Sequence, residues 1–259
     1  MDIQKITKLR QLTGAGMGDC KKALVEAGED LDKAVEVLRK NGAVKAAKKA
    51  DREAKEGLVA MAKADGKVAM VALNCETDFV ARNDDFIAAV QDLADKLLTT
   101  ETAEFKTWAD EKIKTELVVK IGENIQLGDF TVIEGGVIGT YLHANKRVVA
   151  SVVLRSGTEE LAAELAMQVV AMSPSFIRPE DVPTELLDKE KEIITELLTK
   201  EGKPAEMIEK IMVGKVNKYY EEVCLTKQGF IKEDKQKVED YVKGIGEDIK
   251  IVAFQKISI

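Results

Sequence analysis

The sequence predicts an α+β fold: an N-terminal three-helix domain, a core of two related α+β subdomains with antiparallel sheets, and an inserted helical hairpin. Three observations predict it. The apolar period is helical up to Glu56 and changes to two from Gly57. The order hairpin, connector, long amphipathic helix occurs twice, over Leu58–Leu98 and Val137–Met172. Beyond Pro174, Pro179 and Pro183, two narrow apolar stripes follow one another across a short connection.

Residues 1–56 read as three short helices and a tether. Ile3, Ile6, Leu9 and Leu12 form the first stripe, which Thr13-Gly14-Ala15-Gly16 breaks. Cys20, Ala23, Leu24 and Ala27 form the second, and Leu31, Ala34, Val35 and Leu38 the third. Asp30 is placed to N-cap the third helix and Asn41-Gly42 to end it, with Ala43–Ala50 as a solvated helical tether.

Residues 57–135 are expected to form the first core subdomain. Leu58–Ala64 and Val68–Leu73 flank Asp65-Gly66, a strong hairpin pair. A helix follows with Phe86, Ile87, Val90, Leu93, Ala94, Leu97 and Leu98 on one face, then a helical stretch near Phe105–Ile121 and a strand at Phe130–Glu134. Residues 136–183 and 224–259 are expected to form the second subdomain. Its strands are Val137–His143 and Val148–Leu154, with Glu160–Met172 as the helix behind them. In the repeat, Gly66-Lys67 matches Asn145-Lys146, and Leu73 with Thr77 matches Leu154 with Thr158. Residues 184–223 carry the antiparallel helical hairpin, its stripes running from Leu186 to Leu198 and from Met207 to Val223 about Gly202-Lys203-Pro204. A short helix near Lys235–Lys243 and a last strand at Ile249–Ile257 complete the expectation.

Composition narrows the function classes. The formal charge is −7 over 259 residues, which disfavours a dedicated nucleic-acid binder. The N-terminal 56 residues hold 13 Lys and Arg against 10 Asp and Glu, so the acidic excess lies in the rest of the chain. Cys20, Cys75 and Cys224 are scattered and form no CxxC pair, as expected of reduced thiols in the cytoplasm. One histidine, His143, cannot assemble a His-based zinc site, and no metal or cofactor is expected. With no apolar leader and no run of 18 apolar residues, neither secretion nor membrane spanning is expected.

No side-chain set reads as a catalytic centre. Thr13-Gly14-Ala15-Gly16 follows a helix and lacks a Gly-Lys-Ser/Thr, so it is a turn and not a phosphate loop. Cys75 and His143 could act as nucleophile and base only if they met in space. Such a thiol enzyme predicts that Cys75→Ser abolishes activity. Cys75 at the end of an apolar strand is better read as a small buried hydrophobe, and His143 as a surface contact. Asp84-Asp85 and Glu159-Glu160 suit helix starts. One stretch stands out: Asn74-Cys75-Glu76-Thr77-Asp78-Phe79-Val80, in the turn before a helix that starts near Asn83. Residue type alone favours Phe79 as a core plug, with an outward anchor for a partner as the alternative.

Two longer motifs decide between these. Thr13-Gly14-Ala15-Gly16-Met17 followed by Asp19-Cys20-Lys21-Lys22-Ala23-Leu24, and Asn74-Cys75-Glu76-Thr77-Asp78-Phe79-Val80-Ala81, closely resemble the two signatures of bacterial-type translation elongation factor Ts. Lys120-Ile121-Gly122-Glu123-Asn124, Tyr141-Leu142-His143, Pro179-Glu180-Asp181-Val182 and Gly202-Lys203-Pro204 resemble family segments in the same order. The likeness runs to about Phe230.

The resemblance implies a guanine-nucleotide exchange factor for elongation factor Tu, acting by protein–protein binding with no covalent chemistry. It also implies a ubiquitin-associated-like N-terminal domain. Thr77, Asp78, Phe79 and Val80 would carry the main intrusion into the GTPase, displacing elements that hold Mg²⁺ and the β-phosphate. The resemblance thus reverses the core-plug reading of Phe79. Arg10, Met17 and Lys21 match contact positions of the N-terminal domain, His143 one in the second subdomain, and Ile231 and Lys232 contacts to a more distant domain of the partner. Gly18 departs from relatives that carry methionine there, a loss of about 1.5–3 kcal/mol if that side chain is buried. Lys232 replaces an apolar residue of some relatives. Elongation factor Tu, GDP-bound or nucleotide-free, is the expected partner, with no direct nucleic acid and no membrane. Self-association through the hairpin or the core is a further expectation. An adaptor that binds helical or ubiquitin-like partners through its three helices is the competing class, and it has no need of the turn at Thr77–Val80.

Overall fold

The computed structural model describes residues 2–259, apart from the side chain of Asp234. The fold is α+β with antiparallel sheets, the class the sequence predicts. The chain forms two compact units, one of Met1–Glu134, Leu142–Val149 and Ile257–Ile259, the other of Gly135–Tyr141 and Ala150–Lys256.

In the first unit, α1 (Ile3–Thr13), α2 (Met17–Glu26) and α3 (Leu31–Lys49) open the chain. Asp2 caps α1 and Asp30 caps α3, each through a side-chain oxygen. Gly14 ends α1 in the left-handed region at φ 68°, where a side chain would be strained. Ile6, Leu9, Cys20, Leu24, Ala34 and Leu38 make a small core that includes Val119 from outside the trio. Ile3 and Leu12, expected to share that core, are exposed, because the buried face of α1 centres on Ile6 and Leu9.

The expected stop at Asn41-Gly42 does not occur; α3 runs on to Lys49. Gly42 is buried against the chain at 114–119. A Cβ there would lie 2.3 Å from Val119 Cγ2 and 2.8 Å from the Lys114 carbonyl. The residue is glycine so that another segment can approach, and not to end the helix.

Strands β1 (Glu56–Ala64) and β2 (Lys67–Cys75) pair antiparallel, and β3 (Gln126–Glu134) joins β2 on its other side. Leu58, Ala60, Val71 and Leu73 face Phe86, Val90, Leu93 and Leu97 of α5 (Asp84–Thr99). Val59, Val68, Met70 and Ala72 on the opposite face are buried as well, which explains the continuous apolar run of β2. Between β2 and α5 the chain makes a one-turn helix, α4 (Asp78–Ala81), where only a turn was expected. The stretch after α5 is α6 (Thr102–Lys112), a wider π-type turn at Ile113–Leu117, and α7 (Val118–Ile121).

The second sheet has the order β4 (Val137–Leu142), β5 (Val148–Leu154), β8 (Ile251–Ser258). Ala150, Val152 and Leu154 pack with Leu161, Leu165 and Val169 of α8 (Glu159–Met172). The sequence repeat has a physical counterpart. Thr77 and Thr158 both N-cap a helix by accepting from the backbone N–H three residues on. The copies differ just there: Thr158 leads directly into α8, whereas the first copy interposes α4 and restarts at the Asn83 cap of α5.

Helices α9 (Thr184–Lys200) and α10 (Ala205–Val223) pack on each other; Ile194 and Leu198 are buried in α9, and no residue of α10 is. The expected helix near Lys235–Lys243 is displaced. Strands β6 (Gly229–Phe230) and β7 (Glu233–Lys237) pair there, and α11 (Val238–Ile245) follows. The alternation of Lys235, Gln236, Lys237 and Val238 carries no helical stripe, and the apolar face starts only at Val238.

Candidate partner-binding site

Phe79 is 81% exposed, the largest value among the exposed large apolar residues. Its ring is no core plug. It stands on α4, a helix too short to hold itself by cooperativity. Ala81 is its one buried residue, Val80 packs partly on the first core, and Asp78 makes an exposed ion pair with Arg82 at 3.0 Å.

To this apolar hold of Ala81 and Val80 the turn before α4 adds a polar one. Glu123 Oε2 accepts from the backbone N–H groups of Glu76 at 3.0 Å and Thr77 at 3.1 Å, and Oε1 accepts from the Thr77 hydroxyl at 2.7 Å. Glu76 returns the favour across the same gap: its Oε1 accepts from the backbone N–H of Asn124 at 2.6 Å. The Asn124 amide, itself buried, donates to the Arg52 carbonyl at 2.7 Å, and the Arg52 guanidinium lies 3.5 Å from Glu76. Two carboxylates thus clasp each other's backbone, with bonds to charged acceptors that are stronger than neutral ones. Beneath them, Cys75 is fully buried and its thiol donates to the Thr77 carbonyl at 3.2 Å. Burial, aided by the negative charge of Glu123, pushes that thiol up to about 11, which opposes a thiolate nucleophile.

Met17 and Lys21, one helical turn apart on α2, are both exposed, as is Arg10 on α1. Lys120 ties this module to the turn. Its stem lies over Gly14, where a Cβ would come within 2.7 Å of Lys120 Cγ, and its Nζ pairs with Asp85 in the first turn of α5 at 2.7 Å. Residues 120–124 therefore touch both the α1–α2 connection and the chain around Phe79. His143 lies in the loop after β4, partly buried; its backbone N–H donates to the Val148 carbonyl at 3.0 Å and its Nδ1 accepts from the Asn145 N–H at 3.4 Å. That loop is fixed to β1 through Val59 N–H to the Lys146 carbonyl at 2.8 Å, and through Arg147 with Glu56 at 2.6 Å.

Ile231 and Lys232 belong to the other unit, at the tip between β6 and β7. The tip is anchored by a buried glutamine: Gln168 Oε1 accepts from the Ile231 N–H at 2.9 Å, while its Nε2 donates to Gln228 and to the Gly229 carbonyl. Lys232 pairs with Glu164 at 2.7 Å, which together with the Tyr241 hydroxyl bond holds the Glu164 carboxyl below its ordinary range. Sequence reasoning named none of Glu76, Glu123, Asn124 and Gln168 as a supporting residue. The segment holding Glu123 resembled a family segment, but a bond spanning 46 residues leaves no local signal.

The family described as Elongation factor TS matches residues 76–259, a stretch that starts one residue before Thr77. Proteins described as Elongation factor Ts match over nearly the whole chain. The one from Christiangramia forsetii is 42% identical over 267 residues, covering 98% of this chain and 97% of its own length. That from Deinococcus deserti is 43% identical, with coverage of 93% and 94%. That from Saccharophagus degradans is 44% identical, with coverage of 94% and 87%. The chain belongs to the elongation factor Ts family. It is thus a translation elongation factor of protein biosynthesis. Among the described residues no helix is long and apolar enough to cross a membrane, and no cluster of His, Cys, Asp and Glu is placed to hold a metal ion.

Proposed function

We propose that this elongation factor Ts is a guanine-nucleotide exchange factor for elongation factor Tu in the cytoplasm. The observation that carries the reading is the exposed Phe79 ring on a short helix pinned by two carboxylates. An exposed aromatic has little to gain in the free protein. Buried in a partner it contributes about 2–3 kcal/mol through its apolar area. In this reading Asp78 and Phe79 enter between helices of the nucleotide-binding domain, with Thr77 and Val80 shaping the turn. The ring displaces the elements that hold Mg²⁺ and the β-phosphate without touching the nucleotide. Arg10, Met17 and Lys21 dock on a neighbouring helix of that domain, His143 adds a contact, and Ile231 and Lys232 reach a more distant domain.

The thermodynamics need no covalent step. A factor that binds nucleotide-free elongation factor Tu more tightly than the GDP form must weaken GDP binding by the same ratio. Calorimetric titration of both forms with this protein tests the reading. The nucleotide-free form is expected to bind at least about tenfold more tightly, within the usual range of coupling energies. Equal affinities would leave an adaptor that docks through its three helices and does not act on nucleotide.

A further inference from the structure

We propose that Glu123 is a positioning residue for exchange, holding Phe79 ready through the backbone of the turn before it. The inference rests on the exchange reading and assigns a role to a side chain remote in sequence from the intruding one. Ala81, Val80 and the Cys75 thiol also hold this turn to the first core, but Glu123 supplies most of its polar anchorage. The ring is exposed, α4 is a single turn, and the Asp78–Arg82 pair lies in solvent, where ion pairs contribute little. Glu123 alone satisfies two successive backbone N–H groups and the hydroxyl of the capping threonine. The same hydroxyl accepts from the Val80 N–H at 3.4 Å, so the carboxylate, the cap and the helix that carries Phe79 form one chain of bonds. With Glu123 removed, the turn must be ordered during binding, and the entropy of ordering is charged against the intrusion.

The test is a double-mutant cycle in full-length protein, read by the rate of fluorescent GDP release from elongation factor Tu. Glu123→Ala is expected to reduce the acceleration on the order of tenfold, the loss of charge-assisted hydrogen bonds. Glu123→Gln, which keeps one carbonyl acceptor, is expected to fall between it and the wild type. In a Phe79→Ala background, Glu123→Ala is expected to cost nothing further, because the side chain it positions is gone. A merely structural role would give the same loss in both backgrounds and would overturn the proposal, as would wild-type acceleration by Glu123→Ala. Should circular dichroism show Glu123→Ala unfolded, Glu123→Gln carries the same cycle with the same criterion. If the wild type itself fails to accelerate release, the exchange reading falls first. Hydrogen exchange at the Glu76 and Thr77 amides then decides the clasp: faster exchange in Glu123→Ala supports it, and unchanged protection removes it.

Discussion

Phe79→Ala is expected to leave the protein folded and to reduce its acceleration of GDP release on the order of tenfold or more, the loss of an anchor worth about 2 kcal/mol. Both halves of that expectation follow from exposure. A ring 81% exposed contributes almost nothing to the native core, so truncation should change stability by no more than about 0.5 kcal/mol. The same ring, inserted into a partner, loses its water and gains packing only in the complex. Stopped-flow release of fluorescent GDP, with circular dichroism and urea unfolding of both proteins, separates the two. Equal acceleration by the folded variant would leave exchange standing and move the site elsewhere.

A change that should do the opposite, ruin stability without touching the site, is Gly139→Ala in β4. A Cβ at Gly139 would lie 2.0 Å from the Ala163 nitrogen, 2.2 Å from the Ala162 carbonyl carbon and 2.5 Å from the Ala162 Cβ. These atoms are mostly backbone of α8, so no side chain can swing aside. Helix and strand must separate, which loosens the packing of Leu161 and Leu165 of α8 in the core they share with Val152. The expected cost is about 3 kcal/mol, the upper end of overpacking in a close-packed core. Urea unfolding reads it as a lower midpoint, and an unchanged midpoint would show that the approach can relax.

The parts of the fold that rest on neighbouring residues were legible. Asp65-Gly66 marks the turn between β1 and β2, with both residues at positive φ. Asp30 caps α3, and the helical period of Phe86, Val90, Leu93 and Leu97 gives α5. The parts that failed depend on distant ones. Gly42 has the look of a helix stop, and only the approach of Val119 and Lys114 shows why a glycine is needed inside the helix. Ile3 and Leu12 lie on the right period, yet at the margins of the buried face. The candidate site divides the same way. The motif at Thr77–Val80 could be picked out, but residue type argued for a buried Phe79, and family resemblance was needed to turn it outward. Its support by Glu123, Asn124 and Arg52 comes from other segments, and a single sequence does not pair them.

The most direct test of exchange is the rate of GDP release from elongation factor Tu as wild-type protein is titrated in. The expected result is a rate that rises steeply above the intrinsic one and saturates as the ternary complex fills; each tenfold gain corresponds to about 1.4 kcal/mol off the release barrier. A release rate that stays at the intrinsic value while binding saturates would contradict the exchange function outright.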